Sequence, residues 1–257
     1  MKSPQIIYLH QAIPFQKEMN FSFFKKDEIK YAIIQKFLGK RIIKGLSNAE
    51  GIIVQTNWMK KSVIKLTAIK DEIIQVVPPK IKVDDNNLFS EPNLNTFFYP
   101  TGDDIYKNIG IIERSAELIN NLDFKVELTI ERELENHHIK SIGWITREEV
   151  FEKYRKSILL FPSKIETFGM PLAEAKEFNS VILASDTEFS REILSDYKNA
   201  YFFNPNDEQE LAKLMSDCIK GKIKVKINKN TENTSNENKW MRIMEVVEKI
   251  ISEEQGE

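Results

Sequence analysis

Short apolar runs alternate along the chain with longer stretches in which apolar residues recur every three or four positions. The runs at 6–9, 51–55, 73–77, 96–99, 124–129, 139–144, 158–161 and 181–184 read as strands of the buried type rather than as polar–apolar alternations. Helical periodicity fills the spaces between them, at 28–46, 58–66, 106–120, 148–156, 171–178 and 207–220. Helices alternating with buried strands imply parallel sheets covered on both faces, which is the α/β class.

Two stretches interrupt this rhythm. Residues 78–95 are rich in Pro, Asp and Asn and read as a domain linker, and 222–239 are dominated by Lys, Asn, Thr and Ser and read as a solvated one. Periodicity then returns with Trp240, Ile243, Met244, Val247, Ile250 and Ile251. The organisation expected is a first domain over 1–80, a second over 93–221, and a final helix over 239–254 that packs back on the first. The first domain has only three evident strands. So narrow a sheet exposes unpaired edges, so either a partner chain or a second copy covers it, or the chain is a fragment.

Composition narrows the classes. The 257 residues carry a formal net charge of -2, which does not point to nucleic acid. The single cysteine, Cys218, sits at helical spacing with Leu211, Leu214, Met215 and Ile219 and reads as a core thiol. A disulfide framework is excluded, which suits a reducing cytoplasm. No segment resembles a signal peptide or a membrane span, so any membrane contact is expected to be peripheral. Residues 25–65 hold ten Lys or Arg against three acidic residues, a local charge of +7. The basic amphipathic stretch at 28–46 reads either as a solvated helix face or as a surface for anionic lipid headgroups.

The most informative string is PSKIETFGMPLAEA, residues 162–175. A strand ends at Pro162, a loop follows, and a helix is expected to begin near Pro171, a residue suited to the first helical turn. Gly169 lets a ligand approach the backbone, and the start of a helix favours a phosphate. Glu166 and Glu174 flank that anion site, and ionised carboxylates accept hydrogen bonds from sugar hydroxyls. A phosphate bracketed by hydroxyl acceptors suits a nucleotide sugar.

This E-x7-E string resembles the retaining GT-B glycosyltransferases of family 4, the glycosyl transferases group 1. The likeness continues through Val181-Ile-Leu-Ala-Ser-Asp, Arg191-Glu192 and Asn199-Ala-Tyr-Phe-Phe-Asn-Pro-Asn-Asp, and more weakly through Gly51-Ile-Ile-Val-Gln-Thr and Val76-Val-Pro-Pro. It implies a GT-B-like fold of two Rossmann-like domains. It also implies transfer of a sugar from a nucleotide-sugar donor to a glycan or lipid-linked acceptor, with retention, in surface polysaccharide synthesis.

The resemblance also implies roles. Glu166 would contact the donor sugar; the backbone of Phe168, Gly169 and Met170 would hold the diphosphate; Glu174 would accept from the ribose hydroxyls. Lys107 would neutralise the diphosphate, Gly143 would lie against the base, and His10 would face the sugar. Trp144 and the pair His137 and His138 read as a packing residue and surface residues. The group's usual arginine is missing from the Pro100-Thr-Gly-Asp-Asp-Ile stretch, so leaving-group stabilisation should be weaker. No cofactor or metal is expected, since Asp84-Asp85 and Asp103-Asp104 are adjacent loop pairs rather than Asp-x-Asp. Members of the group begin with roughly another 80 residues, about the size of half a domain, so the chain reads as N-terminally truncated. A catalytically incomplete donor-binding subunit is the alternative.

Overall fold

The computed structural model describes residues 4–81, 92–226 and seven positions between 241 and 252. Most of the expected final helix, Trp240 included, lies outside the described residues, though six of those seven positions, from Met241 to Glu248, are helical, as is Ser252. Most of the expected 222–239 linker and part of the 78–95 linker also lie outside them.

The described chain divides into two compact units. The first comprises residues 4–80, the short segment Ile165–Phe168 and the described positions beyond 240. The second takes the described residues of Ile81–Lys164 and those from Gly169 to 226.

In the first unit, β1 (Ile6–Tyr8), β2 (Gly51–Val54) and β3 (Ile74–Val76) form a parallel sheet in the order β1-β2-β3. Ile6 pairs with Gly51, and Ile52 pairs with Ile74. β2 is central and buried throughout, while β1 is half-exposed. The helical stretch expected at 28–46 is not uniform. It runs as α1 (Ile29–Ile33), a π-helical turn Ile34–Leu38 and α2 (Gly39–Leu46). Tyr31, Ala32 and Leu46 form its buried face. Gly39 permits the close approach of Pro14, since a Cβ there would stand 2.9 Å from the Pro14 Cβ. Helix α3 (Asn57–Thr67) ends on Ala68, which adopts left-handed backbone at φ 55°.

The second unit holds a six-stranded parallel sheet in the order β6-β5-β4-β7-β8-β9. Its strands are β4 (Thr96–Tyr99), β5 (Lys125–Leu128), β6 (Ile139–Ser141), β7 (Ile158–Phe161), β8 (Ile182–Ser185) and β9 (Ala200–Phe203). Renumbered within the unit, that order is 3-2-1-4-5-6, the doubly wound arrangement, and its switch point lies between β4 and β7. β7 and β8 are buried at every position, as their apolar runs imply.

Helices α4 (Ile109–Leu118), α5 (Arg147–Lys156), α6 (Met170–Glu177), α7 (Glu188–Ile193) and α8 (Glu208–Ile219) connect and cover the strands. Thr146 and Glu149 close a reciprocal capping box at the start of α5. Asp207 caps α8 by accepting from the Gln209 and Glu210 N–H groups. Cys218 lies fully buried on α8 with Leu211, Ala212 and Met215, and burial pushes its thiol up to about 12. It is the core thiol that its spacing suggests.

Three expectations change. The helix expected at 106–120 is split, because Asn108 takes left-handed backbone at φ 60° between a 3-10 turn Ile105–Lys107 and α4. The strand expected at 139–144 stops at Ser141, before Gly143 turns the chain at φ 65°. β9 and α7 were not among the expected elements. β9 is a sheet-edge strand with three half-buried positions, so its pattern lacks a buried run's signal.

Candidate functional site

All six strands of the second sheet run the same way. The loops that follow them therefore gather along one carboxyl edge, where doubly wound sheets take their ligands. Lys107 follows β4, Gly143 and Trp144 follow β6, and Gly169 and Met170 follow β7.

Side chains lock this edge. Thr129 Oγ1 accepts from the Thr101 N–H at 2.7 Å and donates to the Thr101 carbonyl at 3.0 Å, joining the ends of β4 and β5. Asn108 Nδ2 donates to the carbonyls of Pro162 at 3.2 Å and Pro205 at 2.9 Å, joining the loops after β7 and β9. The Lys164 N–H donates to the Tyr106 carbonyl at 2.9 Å, directly across the switch point. The turn carrying Lys107 is thus tied to the start of the loop that leads to Gly169. The half-buried Lys107 ammonium lies 5.4 Å from the centre of the Tyr106 ring.

Gly169 adopts φ 94° and is the residue from which α6 starts. A Cβ there would also meet Leu172 Cδ1 at 3.3 Å, so both backbone and packing call for glycine. The helix begins at Met170, one residue ahead of Pro171, and no side chain caps this end. A helix start of this kind leaves first-turn N–H groups to a ligand or solvent.

Glu174 is 8% exposed on α6. Its Oε1 accepts from Arg147 Nη2 at 2.9 Å, and its Oε2 accepts from the Tyr154 hydroxyl at 3.3 Å. Burial pushes the carboxyl above its ordinary range, while Arg147 and the Tyr154 hydrogen bond oppose that rise. Burial, with the neighbouring carboxylate, holds the Tyr154 phenol well above its ordinary value. Arg147 also lies over the Phe151 ring, 4.9 Å from its centre. Arg147 and Tyr154 were missed in the sequence, and the only signal was their position on an amphipathic helix.

Glu166 and Phe168 group with the first unit, where Thr56 Oγ1 donates to the Thr167 carbonyl at 2.9 Å. Glu166 is half-buried and Phe168 is buried. His10, also of the first unit, follows β1 as an exposed residue and meets the Tyr8 ring edge-on at 4.0 Å. Lys107, Gly143, Gly169, Met170 and Glu174 all belong to the second unit.

One side-chain reading is corrected and another is sharpened. Trp144 does not pack: it is 80% exposed, because the left-handed turn at Gly143 throws it outward. His138 is half-buried at the surface rather than freely solvated. It stacks on Phe124 at 4.1 Å, and its ring nitrogens lie 3.0 and 3.1 Å from the Phe124 and Asn120 carbonyls. The Asp103 carboxylate, in the stretch that lacks the usual arginine, takes both oxygens to Arg132 Nε at 2.9 and 2.8 Å.

Residues 120–238 match the family described as glycosyl transferases group 1. Among solved structures, the chain is similar to TarM, with a TM-score of 0.66 and 14% identity over 85% of this chain and 44% of that one. HepE of Anabaena, in complex with UDP-glucose, gives 0.62 and 15% identity over 85% and 63% of the two chains. Sucrose-phosphate synthase from Thermosynechococcus elongatus gives 0.61 and 14% over 83% and 59%. The chain spans about half the length of the solved structures that it resembles. No curated protein matches the sequence significantly. These structural likenesses show a GT-B-like fold.

Proposed function

We propose that this chain binds a nucleotide-sugar donor and serves transfer of its sugar, with retention, to a glycan or lipid-linked acceptor. Surface polysaccharide synthesis is the setting that the resemblance suggests. The observation that carries the reading is the placement of the E-x7-E string. Its second glutamate and its glycine follow β7, beside the switch point of a doubly wound sheet, with the Lys107 turn hydrogen-bonded to the same loop. The neighbours solved with UDP or UDP-glucose support a donor of this class.

In this reading the N–H groups at the start of α6 and the Lys107 ammonium meet the diphosphate. Glu174 accepts from the ribose hydroxyls on the second acceptor site of each oxygen, while Arg147 and Tyr154 keep their hydrogen bonds to it. The exposed indole of Trp144 offers an apolar face beside the Gly143 turn assigned to the base. Glu166 contacts the donor sugar and His10 takes part in its transfer. The phosphate charge falls to Lys107 and backbone dipoles, so transfer should survive a chelator.

A thermal-shift panel of nucleoside diphosphates and nucleotide sugars tests the reading. At least one should raise the unfolding temperature, and Glu174→Ala should weaken it by about ten-fold or more, the scale of a hydrogen bond to a charged group. Glu174→Ala indistinguishable from the parent across the panel would overturn it. Binding without transfer by the chain alone would mark it as a donor-binding subunit.

A further inference from the structure

Most of the exposed large apolar residues in the described first unit fall in one segment, 23–38. Phe24 is 99% exposed and Phe37 is 63% exposed, with Phe23, Ile29, Ile33 and Leu38 also at the surface. These residues form a patch rather than a scatter. Ile29, Ile33 and Phe37 follow at four-residue spacing, and the Phe23 and Phe37 rings meet edge-on at 5.9 Å. The opposite face of the same helical stretch is already used, through Tyr31, Ala32, Gly39 and Leu46. Gln35 ties that inner side down by donating to the Met19 carbonyl at 2.7 Å and accepting from the Phe21 N–H at 3.1 Å.

The charge around the patch has one sign. Between residues 21 and 46 there are seven Lys or Arg and two acidic residues. All seven cationic residues are exposed. Glu28 is buried and engaged with the Ser22 N–H at 2.8 Å and the Lys25 ammonium at 3.0 Å, leaving Asp27 as the exposed acid. The Lys36 ammonium lies 5.4 Å from the centre of the Phe23 ring, so cations and aromatics share one surface.

We propose that this face is a docking surface for an anionic lipid bilayer, with the phenylalanines entering the interface and the lysines meeting lipid phosphates. Charge complementarity selects this occupant. Anionic headgroups satisfy the cations while the acyl boundary takes the rings. A second copy of the chain would set two cationic faces against each other, which charge repulsion opposes. The inference stands on this patch alone and does not depend on the donor site.

Sedimentation of the whole chain with vesicles of equal parts phosphatidylglycerol and phosphatidylcholine tests it, against pure phosphatidylcholine. The parent should bind the anionic vesicles and lose binding as salt is raised. The double variants Phe24→Ser/Phe37→Ser and Lys36→Glu/Lys40→Glu should each bind about ten-fold less or weaker still. Circular dichroism and nucleoside diphosphate binding, run on the same samples, should not change, which shows that the variants fold. Failure of the parent to bind anionic vesicles, or equal binding by the folded variants, would overturn the proposal. So would a concentration-dependent dimer in light scattering that both variants abolish.

Discussion

The two parallel sheets obey the same rules and reach different ends. In the six-stranded sheet, β7 and β8 are covered at every position, and among the described residues only Leu118 and Trp144 of that unit are large apolar groups at the surface. In the three-stranded sheet only β2 is buried throughout, and the patch from Phe23 to Leu38 stays exposed. A wide sheet has interior strands enough to bury the apolar faces of the helices that connect them. A narrow one does not, so its helices keep apolar surface for something else.

Core truncation tests this contrast most severely. Phe161 lies on β7, fully buried against Tyr99 at 5.6 Å and Phe189 at 6.4 Å. Phe161→Ala should cost about 3–5 kcal/mol, measured by urea unfolding. Phe37→Ala, on the exposed face, should stay within about 0.5 kcal/mol, as surface substitutions do. A large loss at Phe37 would mean that the patch is covered in the free chain and would break the comparison.

The next effect concerns a charge held inside the wide unit. Burial raises the Glu174 carboxyl, so the folded protein takes up this proton at a higher pH than the unfolded chain does. The ionised carboxylate therefore costs stability near neutral pH, and the cost is relieved as pH falls through the raised folded value. Donor binding through the ionised form runs the other way, and should weaken as pH falls through that value. Arg147 opposes the rise, so Arg147→Met should shift the acid limb of donor affinity to higher pH. It should also weaken binding by about ten-fold, with partial rescue by Arg147→Lys. Titration calorimetry over a pH series checks both, and an unmoved acid limb would separate Arg147 from the state of Glu174.

The smallest effect is local. Thr146→Ala opens the capping box of α5 and should cost about 1 kcal/mol. Because α5 carries both Arg147 and Tyr154, the donor affinity should fall with it by a smaller factor than in Arg147→Met. Chemical denaturation and the same calorimetry read the two changes.

Much of this was legible in the residues. The alternation of buried runs with helical stretches determined the α/β class and parallel sheets, because strands covered on both faces must be apolar throughout and only a crossover can join parallel neighbours. The same pattern placed Gly169 and Glu174 at a strand-to-helix turn, since a glycine followed by proline reads as a loop entering a helix. Cys218 was readable for a similar reason, as helical spacing alone put it on a buried face.

What the pattern did not contain was contact between distant positions. Arg147 meets Glu174 across 27 residues, and Arg132 meets Asp103 across 29. The Asn108 amide joins the loops after two other strands. Such pairings depend on which strands lie side by side, and the order β6-β5-β4-β7-β8-β9 is not written in any local period. Exposure was likewise decided in three dimensions. Trp144 is turned outward by the left-handed backbone of Gly143, and the half-buried His138 is stacked on Phe124. Local sequence determined the elements and the chemistry they carry; the tertiary structure decided which side chains meet, because sheet order and backbone handedness set distances that periodicity does not encode.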